Sequence, residues 1–354
     1  MANANNPSLS LGVVIRTRDE ADRLRLTLAS LETQARETEI VVVDDGSADH
    51  TQAVLAEAVI RLPRLRMIRH STPRGRSAAS NAGATAAKAE ILLFLDGDTL
   101  TAPDLLARHC AAHAEDAGSV VVRGETWHVR CTRWLQDPDT GTPFPAQEAS
   151  LAARPAAERD RMRVTLHQVR HAFGEVVSRA QPGIYPGDDP RRLHALEMAT
   201  LVEPRGCNVL WAAAAGSNQS VRRADFLAAG GFHPDMDINE HRELTLRLVQ
   251  MGARMRVLPG ACTFHMTHRS RWRDPLRNAS WEAVFLTAHP RPAVALLALF
   301  WATLARHPSL ANGPRIETLH ALDLAARTPD AAAFDAARQR LGLPALGAAF
   351  WYGT

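Results

Sequence analysis

Two aspartates separated by one glycine, Asp96 and Asp98 around Gly97, directly follow an apolar run at residues 91–95. A run that is apolar at every position is typical of a strand buried on both faces of a parallel sheet. Residues i and i+2 of an extended chain point to the same side, so both carboxylates could face one divalent cation. Carboxylate oxygens suit Mg²⁺ or Mn²⁺, which bridge to phosphate groups. The motif therefore predicts a metal-assisted phosphate site, and its alternative is an ordinary aspartate-rich turn.

Two further apolar strands earlier in the chain also end in polar residues. These polar residues are Arg16, Thr17 and Arg18 after residues 11–15, and Asp44 and Asp45 after residues 40–43. Open parallel sheets bind their ligands at the carboxyl ends of the strands. The three strand ends therefore predict one polar binding edge.

Helical patterns separate these strands along the chain. Leucines recur at helical spacing within residues 24–31, and residues 49–61 and the alanine-rich residues 77–88 also favour helix. Residues 65–69 and 119–123 have the composition of further strands. Strands that alternate with helices in this way indicate βαβ units with right-handed crossovers, and hence an α/β protein.

The order of the strand ends resembles that of family 2 glycosyltransferases with the GT-A fold. The motifs that carry the resemblance are Asp44-Asp45-Gly46-Ser47, Gly75 through Asn81-Ala82-Gly83, Asp96-Gly97-Asp98, Gly216-Ser217-Asn218, Gly230-Gly231-Phe232, and Glu240 followed by Glu243-Leu244. They cover roughly residues 9–125 strongly and 208–270 moderately. The resemblance implies a Rossmann-like nucleotide-binding mixed sheet flanked by helices, with a helical insertion and a helical C-terminal region.

Four parts of the chain are expected on this interpretation. Residues 1–125 would form the nucleotide-sugar-binding half and residues 208–274 the acceptor-binding and catalytic half. Between them, residues 126–207 lack the strand–helix rhythm and predict a mainly helical insertion, with helix from about residue 146 to 179. This insertion either shapes acceptor binding or only adds stability. Residues 275–354 predict a helical C-terminal region.

Individual binding roles follow from the resemblance. Asp96 and Asp98 would bind Mn²⁺ or Mg²⁺, and a histidine after the last strand, His265 or His268, would complete that site. The nucleotide-binding residues implied in this way are Thr17, Arg18, Asp44, Asp45, Arg74, Arg76, Asp96 and Gly97. Asp45 is the first choice for a hydrogen bond to uracil or ribose. Arg74 and Arg76 precede a predicted helix, where arginines can bind phosphate together with the helix N-terminus.

The catalytic base is the point at which this sequence departs from the family. The family commonly has Glu-Asp where this chain has Glu240-His241. The base is therefore open between Glu240 and His241, since a histidine titrates near neutral pH when it is unperturbed. The structural alternative is a capping box between Asp237 and Glu240. The resemblance also implies that the acceptor side is bordered by Gly216-Ser217-Asn218 and Trp211. The alternative for Trp211 is a place in the core.

The resemblance implies a metal-dependent inverting glycosyltransferase that moves a sugar from a nucleotide sugar, most simply a UDP sugar, to a hydroxyl of an acceptor. The acceptor could be a glycan, a lipid, a peptide or a small molecule. One alternative is a nucleotidyltransferase that makes sugar nucleotides, although the glycine-rich loop with a lysine typical of that class is missing after Ile15. Another is a non-catalytic nucleotide-sugar-binding protein of the same fold.

Composition narrows the partners and the location. A net charge of +3 is too small to indicate nucleic acid binding. The four cysteines show no CxxC spacing, which argues against structural zinc and fits a reducing cytoplasm. No signal peptide is apparent in residues 1–10. The apolar residues 292–305 fall short of the roughly 20 that span a bilayer, so a buried helix is expected, with peripheral contact to the inner membrane face as the alternative.

Overall fold

A computed structural model of the chain describes residues 9–182, 192–268 and 278–353. The strands in these ranges are β1 (Leu11–Thr17), β2 (Glu39–Asp44), β3 (Leu65–Arg69), β4 (Ile91–Asp96), β5 (Thr99–Thr101), β6 (Val120–Val129), β7 (Leu135–Asp137), β8 (Thr142–Pro143), β9 (Gln181–Pro182), β10 (Gln219–Arg222) and β11 (Arg254–Met266). Parts of the predicted N-terminus, of the insertion and of the boundary at residue 274 lie outside the described residues.

The α-helices in the same ranges occupy both faces of the main sheet, the insertion and the C-terminal region. They are α1 (Ala21–Leu31), α2 (Thr51–Ala58), α3 (Arg76–Ala86), α4 (Leu105–Glu115), α5 (Glu148–Ala152), α6 (Ala156–Met162), α7 (Leu166–His171), α8 (Phe173–Val177), α9 (Arg192–Val202), α10 (Arg223–Ala228), α11 (Glu240–Gln250), α12 (Ser280–Ala288), α13 (Pro292–Ala295), α14 (Leu297–Leu304), α15 (Leu319–Arg327), α16 (Ala331–Arg340) and α17 (Ala348–Tyr352).

Nine of the strands form one mixed sheet with the order β3-β2-β1-β4-β10-β6-β11-β5, and β9 pairs with β6. Strands β1 to β4 are mutually parallel where they pair, as the sequence predicts. Strand β10 is antiparallel to both β4 and β6, and β11 runs parallel to β6. Because β10 and β11 come from the chain beyond the insertion, the two predicted halves share a single sheet.

The central strands are buried on both faces, which explains their unbroken apolar character. Val13 to Ile15, Ile40 to Val43 and Ile91 to Leu95 are at most 4% exposed. Helix α3 packs closely over β1 because it carries Gly83 at the contact. A Cβ atom at Gly83 would lie 2.5 Å from a methyl carbon of Val14. The sheet can therefore place polar groups only at its strand ends.

The predicted helix at residues 146–179 is wrong in detail, because the chain forms four short helices, α5 to α8, instead of one. Pro155 precedes α6, and its fixed backbone is compatible with a helix start but not with a helix interior. Thr165 then starts α7 with a capping box in which Gln168 is the partner. Val169 and Val176 of this region pack in one apolar cluster with Leu26 of α1.

The apolar window at residues 292–305 forms α13 and α14, which are buried as expected. Residues 294–302 are at most 4% exposed, since they lie inside the apolar cluster of the C-terminal region. Other residues of the protein therefore cover the apolar side chains of this window, which would have to be exposed for contact with a membrane. Across the described residues, no helix combines the length and the apolar character needed to cross a bilayer.

Two buried histidines of α4 connect this helix to the middle of the sheet. His109 contacts the Ser220 hydroxyl at 2.7 Å through Nδ1 and the Asn218 side-chain oxygen at 2.8 Å through Nε2. His113 contacts the same hydroxyl at 2.9 Å. The Asn218 amide donates to the carbonyl oxygens of Glu125 and Ala261, both at 2.9 Å. Burial lowers the pKa of each histidine to about 4, so the network is neutral at pH 7.

We expect the free energy of unfolding to fall as the pH drops from about 6.5 toward 4. Histidines bind protons in the unfolded chain over this range, whereas His109 and His113 stay neutral in the folded protein. The free energy of unfolding therefore falls by roughly 2 kcal/mol per histidine between pH 7 and pH 5. Urea unfolding at these two pH values should show a smaller fall for His109→Gln, because glutamine has no proton to gain. Equal falls for both proteins would contradict the assignment.

Candidate active site

The carboxyl ends of β1, β2 and β4 meet at one edge of the sheet, as predicted. Thr17 lies opposite Asp44 and Arg16 lies opposite Asp96 in the strand register. Gly97 packs directly on Thr17, since a Cβ atom at this glycine would lie 2.7 Å from the Thr17 hydroxyl oxygen. That hydroxyl is buried and has no hydrogen-bond partner among the described residues. It is therefore a candidate contact for a ligand.

Asp98 lies beside two histidines at this edge. Its Oδ2 atom is 3.2 Å from Nε2 of His265 and 3.0 Å from Nε2 of His268. One ligand atom from each of the three residues lies within 4.8 Å of the others. The strand β11 extends to Met266, so His265 belongs to the last strand, where it pairs with Thr99 next to Asp98. Both histidines join the cluster, whereas the sequence left a choice between them.

The charges of this cluster fit a divalent metal. Burial alone would raise the pKa of Asp98, but His265 and His268 outweigh it and hold that pKa well below its usual range. Burial would lower the pKa of His268, yet Asp98 and Glu20 outweigh burial and raise it. One carboxylate and two imidazoles are a mixed donor set that suits Mn²⁺ better than Mg²⁺, which prefers oxygen ligands.

Asp96 does not belong to this cluster, contrary to the expectation of two aspartates on one cation. The chain turns at Gly97 and Asp98 instead of continuing as a strand, so the same-side rule no longer applies. Asp96 accepts a hydrogen bond from Nε of Arg16 at 2.7 Å. Nη1 of Arg16 donates at 2.7 Å to Oε1 of Glu240, which starts α11. One guanidinium therefore bridges two carboxylates.

Arg16 is a functional candidate for which the sequence predicted no role of its own. It was named only as one of the polar residues at the end of the first strand. The side chain of Glu240 is 1% exposed, and burial alone would raise its pKa. Arg16 outweighs burial and, with weaker help from His241 and Arg76, holds the pKa of Glu240 far below the usual range. Glu240 therefore stays a carboxylate.

His241 is held in one tautomer by its neighbour Arg242. Nε2 of the imidazole lies 2.6 Å from Nη1 of Arg242, and an arginine can only donate. Nε2 must then accept, so the proton of the neutral ring sits on Nδ1, which lies 3.7 Å from Oε2 of Glu240. Burial and Arg242 lower the pKa of His241 to about 4, although Glu240 opposes them. His241 is neutral at pH 7.

The capping-box alternative for Glu240 is wrong. The residue before α11 is Asn239, which has a left-handed backbone with φ of 68° and makes no side-chain cap. Asp237 instead accepts a hydrogen bond at 2.9 Å from the backbone nitrogen of Arg76, at the start of α3. Glu240 therefore makes no cap at the start of α11, and its buried side chain contacts Arg16 instead. Trp211 lies in the core against Phe285, which is the second of the two places predicted for it.

The two aspartates that end β2 have different partners. Asp44 accepts from the backbone nitrogen of Ser47 at 2.8 Å and from the Gln52 amide at 2.5 Å, so it forms the local turn that was the structural alternative. Asp45 accepts from the backbone nitrogens of Arg74 at 2.8 Å and Gly75 at 2.9 Å. It also contacts Nδ1 of His70 at 2.7 Å. Asp45 therefore fixes the loop before α3.

The predicted arginines surround this edge with their side chains in solvent. Arg18, Arg74 and Arg76 are exposed. A cavity of about 460 Å³ opens nearby and is lined by the loop after β1, the start of α1, the loop before α2 and two residues of the insertion, Gln136 and Phe144. Glu20 lines the cavity and lies 3.6 Å from Nε2 of His268. The insertion therefore contributes to the metal side of the edge.

Solved structures that align with this chain indicate the class of its fold. Residues 1–349 of S. aureus TarS in complex with UDP align with a TM-score of 0.53 and 15% identity, over 98% of this chain and 92% of that chain. The TarS 1–349 complex with UDP-GlcNAc gives a TM-score of 0.51 and 16% identity, over 82% of this chain and 66% of that one. At such identities the likeness concerns the fold, which is GT-A as predicted.

Sequence comparisons report similar proteins for part of the chain. Residues 12–178 match the model described as glycosyl transferase family 2. The uncharacterized glycosyltransferase YfnE of Bacillus subtilis is 35% identical over 121 residues, 34% of this chain and 30% of that protein. Validoxylamine A glucosyltransferase of Streptomyces hygroscopicus subsp. jinggangensis is 38% identical over 117 residues, 32% of this chain and 28% of that protein. The chain spans less than a third of the length of these relatives.

We expect UDP to bind more tightly with Mn²⁺ than without it, and Asp98→Ala to abolish this difference. The cluster loses its only carboxylate in that variant, so the two histidines alone would hold the cation weakly. Calorimetric titration of UDP with and without Mn²⁺ measures the effect. Asp104→Ala, which removes an exposed carboxylate on the neighbouring helix start, should behave as wild type. Equal affinities in wild type would contradict the metal site.

Asp45→Ala should weaken UDP binding and also lower the free energy of unfolding. Loss of one hydrogen bond to a neutral base costs about 0.5–1.5 kcal/mol, and the backbone donors of Arg74 and Gly75 lose their acceptor as well. Calorimetry and urea unfolding measure the two effects separately. Unchanged UDP affinity together with reduced stability would mean that Asp45 only holds the loop.

Proposed function

We propose that this chain is a metal-dependent inverting glycosyltransferase that moves a sugar from a nucleotide sugar, first of all a UDP sugar, to an acceptor hydroxyl. The observation that carries the proposal is the Asp98–His265–His268 cluster on the same sheet edge as the buried carboxylate of Glu240. The match of residues 12–178 to the model of glycosyl transferase family 2 supports it. So does the likeness in fold to TarS, whose complexes contain UDP and UDP-GlcNAc.

The proposed reaction exchanges two bonds at the anomeric carbon. The bond to the diphosphate oxygen breaks, and its electron pair leaves on the diphosphate. The acceptor oxygen forms the new bond from the opposite face, so an α-linked donor gives a β-linked product. A cation held by Asp98, His265 and His268 would neutralise the leaving diphosphate. The acceptor proton passes to a protein base.

Glu240 is the better of the two candidates for this base. Nε2 of His241 already accepts from Arg242, and Nδ1 carries the ring proton, so neither nitrogen has a free lone pair. Oε2 of Glu240 is buried without a partner among the described residues. A histidine base would also no longer show a limb near neutral pH, because the pKa of His241 is lowered to about 4. We therefore assign the base to Glu240 and a supporting N–H to His241.

The nucleotide would lie over the strand ends between these two groups. In this proposal the Thr17 hydroxyl and the Asp45 region hold the nucleoside, and Gly97 lets the diphosphate approach the backbone. Arg18, Arg74 and Arg76 remain proposed phosphate or ribose contacts, since their exposed side chains can reach a ligand. Asp96 is hydrogen-bonded to Arg16, and Asp44 forms the turn after β2. In this proposal both aspartates act mainly by positioning their neighbours.

A second candidate is a nucleotide-sugar-binding protein that does not transfer the sugar. The observation in its favour is the contact from Arg16, which lowers the pKa of Glu240 and so makes it a weak proton acceptor. The two candidates predict the same binding of UDP and metal. They differ in turnover, which is measured as UDP released from UDP sugars.

Glu240→Gln should lower turnover by about 10²- to 10⁴-fold and leave donor affinity near that of wild type. A base acts in the transition state, so its removal lowers the rate without loosening the ground state. UDP release and calorimetry measure the two quantities. Glu115→Gln, an exposed glutamate of α4, is the matched control. Wild-type turnover in Glu240→Gln would move the base elsewhere, first to Glu243 or Asp237.

A further inference from the structure

The guanidinium of Arg16 has one nitrogen more than its two carboxylate partners use. Nε donates to Asp96 and Nη1 donates to Glu240, each at 2.7 Å. Among the described residues none accepts a hydrogen bond from Nη2, and 10% of the side chain is exposed. This nitrogen therefore carries two N–H groups that are ready to donate.

Two more unpaired polar atoms lie next to this nitrogen. Oε2 of Glu240 and Nδ1 of His241 are buried without a hydrogen-bond partner in the described chain, and they are 3.7 Å apart. A buried polar atom without a partner is unfavourable, so such atoms mark places where a ligand completes the hydrogen bonding. Because Arg242 occupies Nε2 of His241, Nδ1 is a donor. The group thus offers one acceptor and two donors.

A hydroxyl matches this set, and an oxyanion does not. A hydroxyl has one hydrogen to donate and two lone pairs to accept with. It can donate to Oε2 of Glu240 while it accepts from Nη2 of Arg16 and Nδ1 of His241. An ionised phosphate or carboxylate oxygen has no hydrogen for Glu240 and would place negative charge against that carboxylate.

Gly216 stands over these donors without a side chain. A Cβ atom at this position would lie 3.2 Å from Nδ1 of His241 and 3.5 Å from Nη2 of Arg16. Its φ lies outside the left-handed region, so the backbone does not require glycine. The absence of a side chain therefore leaves a space over the two donors that a methyl group would fill. Oε2 of Glu240 and Nδ1 of His241 are covered in this structure, so the segment with Gly216 must move aside when a hydroxyl enters.

We propose that Arg16, Glu240 and His241 form a hydroxyl-binding subsite beneath Gly216, and that the acceptor is therefore a neutral hydroxyl compound, a carbohydrate or polyol, rather than a lipid phosphate. Arg16 contacts the acceptor oxygen and holds it against Glu240. This inference rests on the proposed function, because it assigns the acceptor side of the same reaction. It adds Arg16 and Gly216 as the residues that select the acceptor class.

The test compares wild type with Gly216→Ala and Arg16→Lys in the presence of Mn²⁺. The donor is whichever of UDP-glucose, UDP-galactose and UDP-N-acetylglucosamine wild type hydrolyses fastest, and the readout is released UDP. The acceptor is water alone, a panel of methyl glycosides, or citronellyl phosphate as a short lipid phosphate. Gly174→Ala is the matched control, because a Cβ atom there meets nothing within 4 Å. Calorimetry with UDP checks that each variant still folds and binds.

We expect methyl glycosides to raise UDP release in wild type and citronellyl phosphate not to do so. Gly216→Ala adds a methyl group over both donors, and Arg16→Lys keeps the charge but lacks Nη2. Both should lower turnover at least about tenfold with water and with glycosides, the equivalent of one positioned hydrogen bond. UDP affinity should change less than about threefold, which is under half of that energy.

Three results would overturn the inference. Wild-type turnover in Gly216→Ala would show that no acceptor approaches beneath this residue. Faster turnover with citronellyl phosphate than with any neutral acceptor would show an oxyanion acceptor, while the proposed function would stand. Absence of both UDP binding and UDP-sugar turnover in wild type would instead remove the proposed function itself, and the subsite with it.

Discussion

The contact of one buried guanidinium with two carboxylates determines how the rest of this edge is built. Arg16 lies 80 residues from Asp96 and 224 residues from Glu240 along the chain, and it joins β1, the end of β4 and the start of α11. A carboxylate as buried as Glu240 would otherwise take up a proton, because burial disfavours the charged form. The guanidinium keeps Glu240 ionised and so allows a charged group to stand inside the protein. Removal of Arg16 would leave the buried Glu240 carboxylate without this compensation.

Asp98 is the second charged group of this edge, and histidines rather than an arginine compensate its charge. Asp98 is compensated by His265 and His268, and Glu20 lies beside them. The turn at Gly97 separates this group from Asp96, and the absence of a side chain at Gly97 lets the turn pack closely against Thr17. Two aspartates two residues apart thus serve two centres, one built around histidines and one around an arginine. In the proposed reaction, leaving-group and acceptor chemistry are therefore separated across the tripeptide Asp96-Gly97-Asp98.

The local features of this edge were predictable from the sequence, and the non-local ones were not. Buried strands read as unbroken apolar runs, so β1, β2 and β4 and the polar residues that follow them could be found directly. The partners of those residues depend on the fold. Asp44 and Asp45 look alike in sequence, yet one forms a local turn and the other holds the loop at Arg74. His265 joins Asp98 only because β11 continues to Met266 beside β5, and Arg16 acquires its role only when α11 packs against the edge.

In the proposed mechanism, the low basicity of Glu240 sets the order of the proton transfer. A carboxylate whose pKa is lowered by Arg16 takes a proton poorly from a neutral alcohol. The acceptor oxygen becomes much more acidic once it has begun to bond to the anomeric carbon and carries positive charge. Departure of the diphosphate must then lead and proton transfer must follow, which assigns the larger share of catalysis to the Asp98 cluster. Arg16 contributes to this order of steps because it holds the acceptor oxygen in place. The proton passes to Glu240 only after it has become sufficiently acidic.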